Sequence, residues 1–205
     1  MTRTVDLARR KQARQSRAVA TVEAIVEAAA YILAERGATG FTTNRVAERA
    51  GVNIASLYQY FPNKEALLFQ LARTTWERQT VRLAPILTRE GPDQAGKLRD
   101  FLREFFLIEA AEVDLRRALR QASVDLGDTP EFAELIATGA ALTRRFLNDT
   151  LAESAPDDID FHVDLIVTLV TSFAERSTDQ GAVSDMLLRQ ADLLTDMLVG
   201  HYRIP

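Results

Sequence analysis

Between positions 56 and 60, Ser56, Tyr58, Gln59 and Tyr60 set three hydroxyls and one carboxamide on a segment of about two helical turns. The chemistry open to such a set is hydrogen bonding. Hydroxyls and amides satisfy phosphate oxygens and base edges, and tyrosine rings offer apolar surface to thymine methyl groups. With Ala55, these residues are expected on the outer side of a short helix. The alternative for Tyr58 and Tyr60 is partial packing against neighbouring helices.

Covalent and metal chemistry finds little support. The chain has no cysteine, which excludes disulfides, zinc ribbons and thiol nucleophiles. Di-metal sites in helical bundles need Glu-x-x-His pairs. Only His162 and His201 are available, and Ile159 and Leu198 stand three residues before them. Near a helix C-terminus, His201 is better read as a partner of the helix dipole. No glycine-rich phosphate loop, nucleophile elbow or Cys/His cluster occurs. Neither an enzyme nor a metal or cofactor is expected.

The elements that must position the polar set are helical. Residues 1–14 are rich in arginine without a sustained apolar stripe and read as a mobile basic arm. A first helix follows over about 16–36, with Val22, Ile25, Val26, Ala29, Ile32 and Leu33 on one face, and Gly37 stops it. Thr42 and Thr43 can cap a second helix of about 43–50. Gly51 supplies the turn, Asn53 caps a third helix from Ile54 to Phe61, and Pro62 ends it. Asn63 opens a fourth, expected to run to about Ala84 before Pro85. Five more helices are read in the second half, giving an all-α, nine-helix chain.

Two short helices joined by a glycine turn after a longer supporting helix make a helix-turn-helix candidate. Leu57 and Phe61 are expected to face inward with Val46, Ala47 and Ala50, holding the outer face at a fixed angle. Charge distribution agrees. The net charge is −4, yet residues 1–75 balance at +5 and the remainder at −9. A basic module that faces phosphate, attached to an acidic body, accounts for this; so would a solvated basic tail.

The stretch from Phe41 to Leu68, FTTNRVAERAGVNIASLYQYFPNKEALL, resembles the DNA-binding signature of TetR/AcrR-family regulators. The motif-level resemblance covers about residues 16–72. It implies a flexible basic arm over 1–14, a DNA-binding domain over 15–72, and an effector-binding and dimerisation domain over 73–205. By resemblance, Thr43 gives its hydroxyl and backbone amide to a phosphate, and Arg45 is a further phosphate contact. Ser56, Tyr58 and Gln59 lie along the groove, while Tyr60 reaches a flanking phosphate. Lys64 forms an anion site with the start of the fourth helix. Ile54 departs from the pattern, since many relatives carry a polar residue there. Arg9, Arg10, Lys11, Arg14 and Arg17 would add sequence-independent phosphate attraction.

For the second half, the resemblance implies a homodimer through the last two long helices, bound to a palindromic double-stranded operator. Residues 161–173 and 186–199 are more continuously apolar than one core face needs, with Leu165, Ile166, Leu169, Leu187, Ala191, Leu194 and Leu198 as expected interface positions. Central helices of a monomeric bundle would read the same way. A small-molecule effector is implied, with Phe105, Phe106, Glu109, Arg120, Gln121, Phe146 and Thr168 as candidate lining. The resulting expectation is a ligand-responsive repressor, cytoplasmic and without a membrane span. The rival is a DNA-binding protein of the same fold controlled by a protein partner or acting architecturally.

Overall fold

The computed structural model describes residues 16–151 and 157–205, and the basic arm expected over 1–14 lies outside them. Among the described residues there are nine α-helices and no strand. They are α1 (Ser16–Gly40), α2 (Thr43–Arg49), α3 (Ile54–Tyr60), α4 (Lys64–Thr88), α5 (Gln94–Ala111), α6 (Val113–Ala122), α7 (Pro130–Leu151), α8 (Ile159–Asp179) and α9 (Ser184–Tyr202). A short 3-10 turn, Val124–Leu126, precedes α7. No helix among these residues is long and apolar enough to cross a membrane.

Local chemistry accounts for most helix ends. Gly37 breaks α1 near its end by adopting φ 66°, a conformation that costs glycine nothing. Asp93 and Asp158 cap α5 and α8 by accepting the amides of Gly96 and Phe161. Ahead of α7, the Thr129 hydroxyl donates to the Leu126 carbonyl and accepts from the Phe132 amide. Pro130 follows it at a position where no amide is needed.

Pro85 does not end α4, as its type suggested; the helix continues through it to Thr88. A proline inside a helix removes one hydrogen bond, which would run to the residue four before it. That residue is Val81, whose side chain is strongly exposed, and Pro85 is exposed too. The orphaned carbonyl therefore lies on the wet side of the helix, where water can satisfy it.

The helices form two compact units, each with its own core. Among the described residues, the first comprises those up to Trp76 together with Asp114–Leu135. Val22, Ile25, Val26, Ala29, Ile32 and Leu33 of α1 are all buried there, as their spacing suggests, with Leu57, Phe61, Leu67 and Leu71. Helix α6 adds Leu115, Ala118 and Leu119 to this core. The second unit comprises Glu77–Val113 and Ile136–Pro205. Its core joins Leu98, Leu102 and Phe106 of α5 to Val163, Ile166 and Val170 of α8 and to Leu187, Leu194 and Leu198 of α9.

Helices α5 and α9 are also tied by charge. Arg103 grips Asp192 with two bonds of 2.7 Å, and Arg99 reaches Asp192 at 3.4 Å and Asp196 at 2.8 Å. The Arg103 hydrogen bonds, opposed in part by desolvation, hold the Asp192 carboxyl below its ordinary value. A depressed carboxylate stabilises the fold above the unfolded value of about 3.9, and that contribution disappears as pH falls through the lower folded value. Asp192→Asn should therefore lower the urea midpoint at neutral pH and flatten its decline below about pH 4. An unchanged acid limb in the variant would place the acid sensitivity elsewhere.

Candidate nucleic-acid interface

The turn between α2 and α3 is built by backbone alone. Gly51 adopts φ 67°, its amide donates to the Glu48 carbonyl at 3.1 Å, and the Val52 amide donates to Ala47 at 3.0 Å. This crossed pair closes α2 and satisfies carbonyls the helix leaves open. Asn53 then starts α3, its Oδ1 accepting the Ser56 amide at 2.7 Å. Thr42 does the same for α2 through the Arg45 amide, at 3.4 Å. Phe61 is extended, as a residue before proline must be, and Asn63 caps α4 by accepting the Ala66 amide at 2.7 Å.

Helix α3 has two distinct sides. Leu57 and the adjoining Phe61 are fully buried against Val46 and Ala47 of α2 and the face of α1. Ile54, Ala55, Tyr58 and Gln59 are exposed, and Ser56 is half-buried. Tyr60 corrects the sequence reading: it is 7% exposed and belongs to the first core. Residues two apart on an α-helix point about 200° away from each other, so Tyr58 and Tyr60 cannot share a face. Tyr60 is three residues from Leu57 and falls on its side.

The exposed face is pre-ordered by contacts within the head. The Tyr58 and Thr43 hydroxyls lie 3.0 Å apart, bridging the first residue of α2 to the middle of α3. Arg45 is exposed, yet its guanidinium donates to the Gly40 carbonyl at 2.7 Å, which braces the end of α1. Half-buried Lys64, at the start of α4, holds its ammonium 5.5 Å from the centre of the buried Phe41 ring. Arg49, which the sequence reading did not single out, lies 3.2 Å from the centre of the Tyr31 ring.

The expected effector-lining residues are distributed over the two units. Phe105, Phe106, Glu109, Phe146 and Thr168 belong to the second unit, whereas Arg120 and Gln121 lie in the first. Phe106 is wholly buried, edge-on to Phe105 and Phe173, as a core residue is. Phe146 and Glu109 are buried as well, while Thr168 and Gln121 are exposed.

The expected interface positions divide in the same way. Ile166, Leu187, Ala191, Leu194 and Leu198 are buried within their own chain. Leu165 and Leu169 are exposed, and they continue a stripe that begins at Phe161. On α9 the exposed apolar positions are Met186, Leu193 and Met197, which the sequence reading did not choose. On α8 the expected and the exposed positions coincide at Leu165 and Leu169, whereas on α9 the exposed positions stand one residue, about 100°, away from the expected ones. Of the two histidines, His162 shares a 2.7 Å hydrogen bond with the Tyr202 hydroxyl, and His201 is exposed.

This arrangement matches known proteins at two levels. The sequence model described as bacterial regulatory proteins, tetR family, matches residues 25–71, which cover most of α1 through most of the first half of α4. An HTH-type transcriptional repressor of Mycobacterium tuberculosis is 30% identical over 138 residues, 66% of this chain and 69% of the repressor. Among solved structures, the fatty acid degradation regulator FadR from Bacillus halodurans is similar with a TM-score of 0.74 at 20% identity, covering 95% of this chain and 100% of that one. FadR from Bacillus subtilis, solved in complex with stearoyl-CoA, gives 0.69 at 20% identity, covering 86% and 97%. With a helix-turn-helix whose outward face is held from beneath, the chain belongs to the tetR family of bacterial regulatory proteins and is a DNA-binding transcriptional regulator, not an enzyme.

Proposed function

We propose that the chain acts as a repressor, binding a palindromic operator as a homodimer and leaving it when a small molecule binds the second unit. The observation that carries the DNA reading is the outward face of α3, exposed along Ile54, Ala55, Tyr58 and Gln59 while its reverse side is sealed in the first core. In this reading Gln59 reads a base edge, and Thr43 with Tyr58 presents two coupled hydroxyls to one phosphate. Ser56 contributes at the groove wall. Lys64 supplies charge beside the open amides of α4. Arg45, braced on Gly40, adds positive potential, and Tyr60 acts through packing.

One seven-residue helix makes too few contacts for selective binding, which favours two heads per operator with half-sites about 34–36 Å apart. The apolar stripes on α8 and α9 suit pairing with a second copy, because contiguous exposed apolar surface marks an interface. Effector binding is supported by the stearoyl-CoA held by the Bacillus subtilis FadR of similar fold. Within the second unit, Phe105, Glu109 and Phe146 are the buried side chains that would meet such a ligand. Release follows if the ligand binds the non-operator arrangement more tightly.

Selection from random duplex DNA, followed by sedimentation of the complex, tests this function. Two chains per selected duplex are expected, with stearoyl-CoA the first small molecule to try for release. Lys64→Ala should weaken binding nearly uniformly across sequences and lower the salt slope by about one unit. Tyr58→Ala should weaken it as well. Full binding by the double variant would overturn the proposed docking face.

A further inference from the structure

We infer that Ile54 determines sequence specificity by packing on the 5-methyl group of a thymine in the major groove. The inference rests on the DNA-binding face proposed above and names what that face selects.

The leading half of the outward stripe on α3 offers little hydrogen-bonding capacity. Ile54 and Ala55 are aliphatic and exposed. The Ser56 amide is taken by the Asn53 side-chain oxygen at 2.7 Å, which leaves only the amide nitrogen of Asn53 to donate. Tyr58 has its hydroxyl 3.0 Å from that of Thr43, and Arg45 is turned to the Gly40 carbonyl. The polar groups that remain to read DNA are the carboxamide of exposed Gln59, at the trailing end, and the hydroxyl of half-buried Ser56.

Successive residues turn 100° on an α-helix, so Ile54 and Tyr58 stand about 40° apart, and Ala55 and Gln59 follow on one side at about 100° and 140° from Ile54. The methyl-bearing end of this strip continues the polar one and will meet the same groove. Ile54 is 36% exposed and belongs to neither core, so part of its surface is open to a ligand. Among the groups that base pairs present in the major groove, the thymine 5-methyl is the apolar one. An isoleucine on this face therefore favours A·T pairs at one position. The departure from a polar residue replaces one kind of readout by another.

The test uses the full chain and a duplex it has selected from random DNA, resynthesised with deoxyuridine for each thymine in turn. Deoxyuridine keeps base pairing and lacks only the methyl. At one thymine of a half-site the swap should weaken wild-type binding about four-fold, and about fifteen-fold when both half-sites are changed. Ile54→Ala should bind the thymine and uracil duplexes equally, while Ile54→Val should retain most of the discrimination. Indifference of the wild-type chain to every swap overturns the inference, as does full sensitivity persisting in Ile54→Ala. Failure to select any duplex overturns the DNA-binding face itself, a separate and visible outcome.

Discussion

A chain carrying Leu193→Asp and Met197→Asp is expected to fold normally, sediment as a monomer and lose operator affinity by about 10²–10⁴-fold. Both side chains are more than half exposed in the single chain, at 57% and 55%, so their replacement removes little from the core of the second unit. Burying two carboxylates against their symmetry mates would be prohibitive, because a desolvated charge without a partner costs several kcal/mol. Loss of affinity then follows from geometry alone. Two linked heads bind the second half-site at high effective concentration, and a separated head does not. The control is Leu194→Asp, one position away and 4% exposed, which should instead unfold the second unit. A dimer that persists in the double variant, with operator binding intact, would move the interface off α9.

That neighbouring positions behave so differently explains what the sequence could convey about these helices. Periodicity identifies an apolar stripe, but α8 and α9 carry apolar residues on more than one side. Nothing local says which stripe meets the chain's own core. Leu187, Ala191, Leu194 and Leu198 form the more regular row, and a regular row is what a core demands. The sparser set of Met186, Leu193 and Met197 becomes visible only once the first row has been buried by α5 and α8. The pocket candidates carry the same ambiguity. Phe106 and Phe146 are both buried in the second core, and no spacing rule separates an aromatic that lines a cavity from one that fills it.

The head was far more legible because its signals are local. Thr42, Gly51, Asn53 and Asn63 each act within three to five residues of themselves, through a side-chain cap or a left-handed turn. Their order alone specifies helix, turn, helix. The exception is a matter of angle: the chemistry of Tyr60 suggests the side of Tyr58, but its spacing from Leu57 sends it inward. The membership of α6 in the first core was invisible for the opposite reason. Leu115, Ala118 and Leu119 are a well-formed apolar face, but the residues of α1 and α4 that share their core are more than forty positions away.

The second large effect tests whether that inner packing governs reading. Phe61→Ala should destabilise the first unit by about 3–5 kcal/mol, the range for emptying a fully buried aromatic site. Phe61 is wholly buried and ends α3, its amide still bonded to the Leu57 carbonyl at 2.9 Å. Its ring shares the core with Leu57, Val46 and Phe41. A seven-residue helix is too short to persist without such packing, since isolated helices below about 12–15 residues are marginal in water. Phe61 offers no polar group to DNA, so lost binding in this variant can come only from loss of the platform. Hydrogen exchange should show accelerated amides in α2 and α3, while α5, α8 and α9 remain protected because their core is separate. If operator affinity fell without faster exchange in α3, or exchange rose while affinity held, the coupling between the buried side of this helix and its reading side would be disproved.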